Sequence, residues 1–272
     1  NWVGIENYEK LFSRRSYQKM FSASLTYVLV VVPISVALGL GSALLISSLR
    51  IGGELYKAVF FLPVMATLLA MAIVWEFALN PIVGVVNDVL RSGCDISWIH
   101  SLMSGSWLGY EPTTSWYGAA CIKKFPLWLG DKQYALGTIA FIGIWQGFGF
   151  NMVLYLAGLT SVPRELYQAA HMDGADSAWE RFKLVTWPML GPTNVFVITI
   201  SSIRSFQVFD TVEALTSGGP SKSTYVMVYA MFEKGVKQNL LGIGSAITIV
   251  FLAFVLILTL VQVYFVNRRV HY

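Results

Sequence analysis

The sequence predicts an all-α polytopic membrane protein, and three observations carry that prediction. Of 272 residues, 56% are hydrophobic and only 12% charged, where a soluble domain carries about a quarter charged residues. The mean hydropathy is +0.61, and the apolar residues lie in runs of about twenty or more rather than at the spacing of a soluble core. Stretches such as residues 251–263 also lack the period-2 alternation of a membrane β-barrel. The same composition excludes disordered, collagenous and disulfide-rich secreted classes. The net charge of +4 is scattered over connecting segments, so no nucleic-acid partner is expected.

Five segments are long enough to cross about 30 Å of hydrocarbon as helices: residues 25–49, 57–79, 135–160, 193–215 and 241–266. A short turn at 50–56, with Arg50, Gly52 and Gly53, joins the first two. Residues 80–134 carry Trp98, Trp107, Trp116 and Trp128 and are too polar to cross; an interfacial lid is expected, with an inert insertion as the alternative. Cys94 and Cys121 both fall there. A disulfide between them suits an oxidising compartment, and two free thiols are the alternative. Residues 216–240 open with the breaker run Ser217, Gly218, Gly219, Pro220. Alternation places 161–192 on the same side as 50–56 and the tail around Asn267, Arg268 and Arg269. Basic residues are more numerous on the opposite side, so charge bias does not orient the chain. The sequence starts at Asn1 without a charged leader, and a processed or trimmed start is expected.

Residues 161–192 read as helix, turn, helix. Ser161 suits a cap, Pro163 the first helical turn and Glu165 the positive end of the helix dipole, while Gly174 supplies a positive φ at the end. Ser177 and Glu180 then have the spacing of a capping box, and Pro188 and Pro192 delimit the next span. Two short helices carrying Tyr167, Ala169, Ala170, Met172 and Trp179 form either a rigid knob for a groove in another protein or a pair lying on the membrane. The residue pattern leaves both open.

This segment resembles the EAA loop of ABC-importer permeases, the coupling helix that docks on the ATPase subunit. Gln168, Ala169, Ala170, Gly174 and the run Val185, Trp187, Pro188 take the motif's places. Gln168 stands where the family usually has Glu, which replaces a charged contact with a neutral one about half as strong. The spacing from Gly174 to Pro188 is one residue longer than usual, a rotation of about 100° that the turn around Asp176 is expected to absorb. Residues 1–11 (NWVGIENYEKL), 147–159 (GFGFNMVLYLAGL) and 216–220 (TSGGP) are similar to maltose-type and glycerol-phosphate-type permeases. The resemblance covers nearly all the chain except about 95–124, which looks like an insertion.

The resemblance implies one transmembrane permease domain over 1–272, with the type I importer fold and a sixth helix upstream of Asn1. It implies a bacterial inner membrane, with 161–192 cytoplasmic and 80–134 an extracytoplasmic loop. Glu165, Gln168, Ala169, Ala170, Met172, Asp173 and Gly174 are the implied ATPase-docking residues. The implied partners are membrane lipid, a second homologous permease forming a heterodimer, two ATP-binding subunits and an extracytoplasmic solute-binding protein. ATP and Mg are expected on those ATP-binding subunits and no cofactor in this chain.

Enzymatic motifs are absent. The nearest run to a phosphate-cradling loop, residues 218–223, lacks the glycine-to-lysine spacing; HExxH, CxxC and GxSxG do not occur; and His100, His171 and His271 lie far apart. Polar residues within spans are costly in lipid and are expected to face a path or a partner helix. In the third span these are Gln146, Asn151 and Tyr155, among Trp145, Phe148 and Phe150. In the fourth, Arg204, Gln207 and Thr211 recur at helical spacing with Ser201 one turn earlier, and Asp210 and Glu213 lie close by. Amides and aromatic rings suit sugar hydroxyls and pyranose faces; interhelical bonding is the other reading. Arg204 either pairs with Asp210 or Glu213 or meets an anionic group such as a uronate carboxylate or a phosphate. Small residues at Gly143 and Gly147, and at Gly39 and Ala43, suit sliding or static helix packing. The expected function is ATP-driven import of a carbohydrate, including an anionic oligosaccharide such as alginate. Import of glycerol 3-phosphate, or an ATP-independent carrier or channel, is the alternative.

Overall fold

The computed structural model describes residues 4–49, 52–93 and 127–267. Cys94, Cys121, Trp98, Trp107, Trp116 and the expected insertion at 95–124 lie outside the described residues. Among those described, every regular element is helical. In chain order they are α1 (Glu6–Ser13), α2 (Arg15–Ser48), α3 (Gly53–Met65), α4 (Leu68–Ala78), α5 (Val85–Gly93), α6 (Ala135–Thr160) and α7 (Arg164–Met172). There follow α8 (Ala178–Arg181), a π-helical segment (Phe182–Thr186), α9 (Trp187–Met189), α10 (Gly191–Phe206), α11 (Asp210–Leu215), α12 (Met227–Phe232), a second π-helical segment (Glu233–Lys237) and α13 (Leu241–Asn267).

Among the described residues, four stretches are long and apolar enough to cross a membrane: Arg15–Ser48, Ala135–Thr160, Gly191–Leu215 and Leu241–Val261. A fifth exists if Gly53–Met65 and Leu69–Ala78 count as one span. Large side chains such as Leu29, Leu45, Leu62, Leu252 and Leu260 are exposed along these helices, the contiguous apolar surface that lipid covers.

Two expectations are corrected. The second span is not one helix, because the backbone leaves helix at Ala66 and Thr67. There the Thr67 hydroxyl accepts the Ala70 N–H at 3.4 Å and starts α4 afresh, and Pro63 has already removed one N–H from the end of α3. The fourth span is interrupted at Gln207–Phe209, so Arg204, Gln207 and Thr211 do not share one continuous helical face. The connection 216–240 holds α12 and the second π segment. Met227 and Tyr229 are buried there, and the Met227 N–H donates to the Ser24 hydroxyl at 2.8 Å.

The chain packs as two units. The larger is drawn from within 1–66, 140–209 and 226–272, and its central seam joins α2 to α6. A Cβ at Gly39 would lie 2.6 Å from the Cβ of Asn151, one at Gly147 would lie 3.7 Å from Ser35, and one at Gly143 would fall on the Tyr27 hydroxyl. Positions along both helices rise together, so α2 and α6 run parallel, as the first and third of alternating spans must. The two small-residue faces thus serve one close-packed contact. Beside it Ala43, Ile46, Met152, Tyr155, Leu190 and Val197 form a buried cluster, and α10 packs on both α2 and α13. In the smaller unit α4 packs on α11. Buried Asn87 accepts the Trp128 indole N–H at 2.8 Å and donates to the Pro81 carbonyl at 3.2 Å, tying together the two described ends of the 80–134 segment.

Candidate functional site: the coupling loop and the intramembrane polar residues

The 161–192 segment is a self-supporting knob. Ser161 does not cap α7; its hydroxyl donates back to the Gly158 carbonyl at 2.7 Å and finishes α6. Pro163 occupies the cap position in extended geometry, with φ −60° and ψ 134°. At the other end Gly174 takes φ +89°. Its N–H donates to the His171 carbonyl at 3.1 Å and the Ala175 N–H to the Ala170 carbonyl at 2.9 Å, the paired bonds of a Schellman termination. The apolar contact that accompanies such a termination is present: Ala170 and Ala175 are buried with Val162 and Val185, and Tyr167 covers them.

Ala170, at 9% exposure, therefore faces the loop's own core. Glu165, Gln168, Ala169, Asp173 and Gly174 are exposed, and Met172 is 86% exposed. The capping box is present: the Glu180 N–H donates to the Ser177 hydroxyl at 3.1 Å and the Ser177 N–H to the Glu180 carboxylate at 3.0 Å. The Ser177 backbone N–H, and after it the Ser177 hydroxyl, hold the Glu180 carboxyl below its ordinary range. His171 Nδ1 lies 2.9 Å from Asp176 Oδ1, a pairing across the turn that no spacing rule announces.

Between Gly174 and Pro188 the helix carries a π segment, Phe182–Thr186. The Trp187 N–H reaches back five residues to the Phe182 carbonyl, so one turn stores one more residue than an α turn while the helix stays continuous. Phe182 stacks on Trp179, with centroids 5.5 Å apart, and lies 5.9 Å from Trp187. The Tyr167 hydroxyl, 3.0 Å from that of Thr186, joins α7 to the same π segment.

The intramembrane polar residues separate into two groups. Asn151, 2% exposed, donates to the Ser35 hydroxyl at 3.3 Å and accepts from Ser201 at 2.9 Å, linking α2, α6 and α10. Tyr155 is fully buried in the adjoining cluster. Gln146 Nε2 lies 3.5 Å from the Pro63 carbonyl, one of the acceptors left over where α3 ends. Arg204 and Gln207 are exposed at the end of α10, and the Arg204 guanidinium sits 4.1 Å from the Phe150 ring centroid, within cation–π range. Ser201, expected on the face of Arg204, is buried against Asn151 instead. Asp210 is exposed and Thr211 buried in α11.

Residues 12–271 match the family described as "Binding-protein-dependent transport system inner membrane component". The sn-glycerol-3-phosphate transport system permease protein UgpA of Agrobacterium fabrum is 27% identical, over all of this chain and 83% of its own length. The trehalose/maltose transport system permease protein MalF of Thermococcus litoralis is 32% identical, over 97% of this chain and 78% of its own. In fold, the chain is similar to a chain of a bacterial ABC transporter involved in the import of the acidic polysaccharide alginate, with a TM-score of 0.78 and 21% identity over 98% of this chain and 84% of that one. With its membrane-crossing helices and its match over almost the whole length, this chain belongs to the inner membrane components of binding-protein-dependent transport systems and is a transport permease.

Proposed function

We propose that this permease is one half of a heterodimeric pore in a bacterial inner membrane, with residues 161–192 cytoplasmic and residues 80–134 on the extracytoplasmic side. Two separate ATP-binding subunits carrying ATP and Mg drive it, and an extracytoplasmic solute-binding protein delivers its cargo. Met172 carries the docking part of this reading. It is 86% exposed on a nine-residue helix whose other face is packed against Val162, Ala175 and Val185, and an exposed apolar side chain on a rigid support suits a groove in a partner. Glu165, Gln168, Ala169, Asp173 and Gly174 complete the docking face, with Ala170 supporting it from beneath. Closure of the ATP-binding subunits displaces α7, and the Tyr167–Thr186 contact and the π segment pass the displacement to α10. Access then switches between two packings that nucleotide and cargo stabilise differently.

The cargo is a carbohydrate bearing an anionic group, of the alginate or uronate-oligosaccharide kind. Arg204 supports this: an arginine in a span is costly unless it serves a path or a partner, and it is exposed with its guanidinium on an aromatic ring. Gln207 supplies an amide three residues further along the chain. Glycerol 3-phosphate is the second reading, because the same guanidinium suits a phosphate, and one relative is a permease for it. Identifying the ligand on the co-purified binding protein decides between them. The docking half is tested by Met172→Asp, which loses the ATP-binding subunits on purification; full retention overturns it. Unchanged uptake by an assembled Arg204→Ala variant removes Arg204 from the path.

A further inference from the structure

Beside the coupling loop, where α2 and α6 end and α3 begins, lies a cleft of about 740 Å³, within the size range of small-molecule sites. Its wall is apolar, built from Ile46, Leu156, Leu159 and Val162. Its polar lining holds Glu54, Lys57 and Arg164. Lys57 is 2.7 Å from Glu54, and among the described residues Arg164 makes no ion pair, so the lining keeps one uncompensated positive charge. The apolar helices Arg15–Ser48 and Ala135–Thr160 both terminate here, which sets the cleft at the boundary between hydrocarbon and water. An apolar wall under a cationic lip at that depth matches one ligand chemistry: a phosphodiester headgroup carrying one negative charge, with the start of its acyl chains.

We propose that this cleft is a binding site for an anionic phospholipid. Arg164 engages the phosphate, Lys57 shares it with Glu54, and the α2–α6 wall holds the upper acyl segment. Tyr167 also lines the cleft while its hydroxyl meets Thr186, so an occupant abuts the contact between α7 and the π segment. Lipid charge thereby acts on the coupling loop.

The test uses the complete transporter in lipid nanodiscs with photoactivatable phosphatidylglycerol and phosphatidylcholine probes, the labelled peptides being identified by mass spectrometry. The phosphatidylglycerol probe is expected to label segments 46–57 and 156–167 about five-fold more strongly than the phosphatidylcholine probe. The Lys57→Gln/Arg164→Gln double variant abolishes that preference. Leu159→Trp, which fills the wall without changing charge, lowers labelling by the phosphatidylglycerol probe and covers the case in which the double variant fails to assemble. Millimolar inorganic phosphate leaves the labelling intact. Equal labelling by the two probes overturns the proposal, as does displacement by inorganic phosphate, which makes the cleft a free-anion site. Labelling that appears only after the ATP-binding subunits are stripped away overturns it too, by assigning the cleft to them.

Discussion

The Tyr167 hydroxyl lies 3.0 Å from the Thr186 hydroxyl, and this is the side-chain hydrogen bond that ties the short helix α7 to the helix leading into α10. A single bond of this kind is worth about 0.5–1.5 kcal/mol. Tyr167→Phe keeps the ring over the buried alanines and removes only the bond. The expected outcome is a complex that still hydrolyses ATP but moves less cargo per ATP, measured by paired hydrolysis and uptake in proteoliposomes. An unchanged ratio sinks this assignment.

Gly174 has open space where a Cβ would be but a φ of +89°, so Gly174→Ala isolates the backbone term. That term is about 1–2 kcal/mol. Retention of the ATP-binding subunits during purification should fall about tenfold. Gly174→Asn should fall less, because Asn tolerates the left-handed region.

At the α2–α6 seam, Gly39→Ala drives a methyl to 2.6 Å from the Asn151 Cβ, an overpacking worth about 1–3 kcal/mol. It should lower both the Tm and the amount of protein in the membrane. Asn151→Leu removes the bonds to Ser35 and Ser201 and should cost about 1–2 kcal/mol, at the level measured for pairs of interhelical bonds. A normal Tm combined with weakened cargo binding would instead return Asn151 to the translocation path.

Much of this architecture was legible in the sequence, for a physical reason. Lipid leaves the backbone no partner but itself, so long apolar runs announce helices, and the stop at Gly174 and the start at Ser177 follow from φ and capping chemistry. The breaks inside spans were harder. Residues 57–79 are apolar but for Lys57, Thr67 and Glu76, and hydropathy does not register a change of hydrogen-bond partner; Pro63 and Thr67 were the local signals. The interruption at Gln207–Phe209 carries no proline or glycine at all. Ala170 could not be turned inward on paper, because what buries it, Val162 on one side and Val185 on the other, comes from outside its own helix. Asn151 was legible as costly but not as satisfied, since its two partners come from helices 116 and 50 residues away.

The capping box predicts a pH dependence. The Glu180 carboxyl is held below its ordinary range by the Ser177 N–H and hydroxyl, so the ionised group favours the folded loop. That contribution is complete above the ordinary carboxylate pKa and is lost as pH falls through the lowered value. Thermal unfolding of the assembled complex from neutral to acid pH should show wild type more stable than Glu180→Gln near neutrality, with the gap closing on acidification. A gap that widens on acidification refutes the assignment.

The π segment at Phe182–Thr186 alters how relatives should be compared. A one-residue difference between the glycine and the proline of this loop looks in an alignment like a gap to be placed in the nearest turn. Here the π turn holds one residue more than an α turn within an unbroken helical rod, and the turn at Gly174 keeps its ordinary bonding. A π turn of this kind lets the loop take one more residue without changing the turn at Gly174.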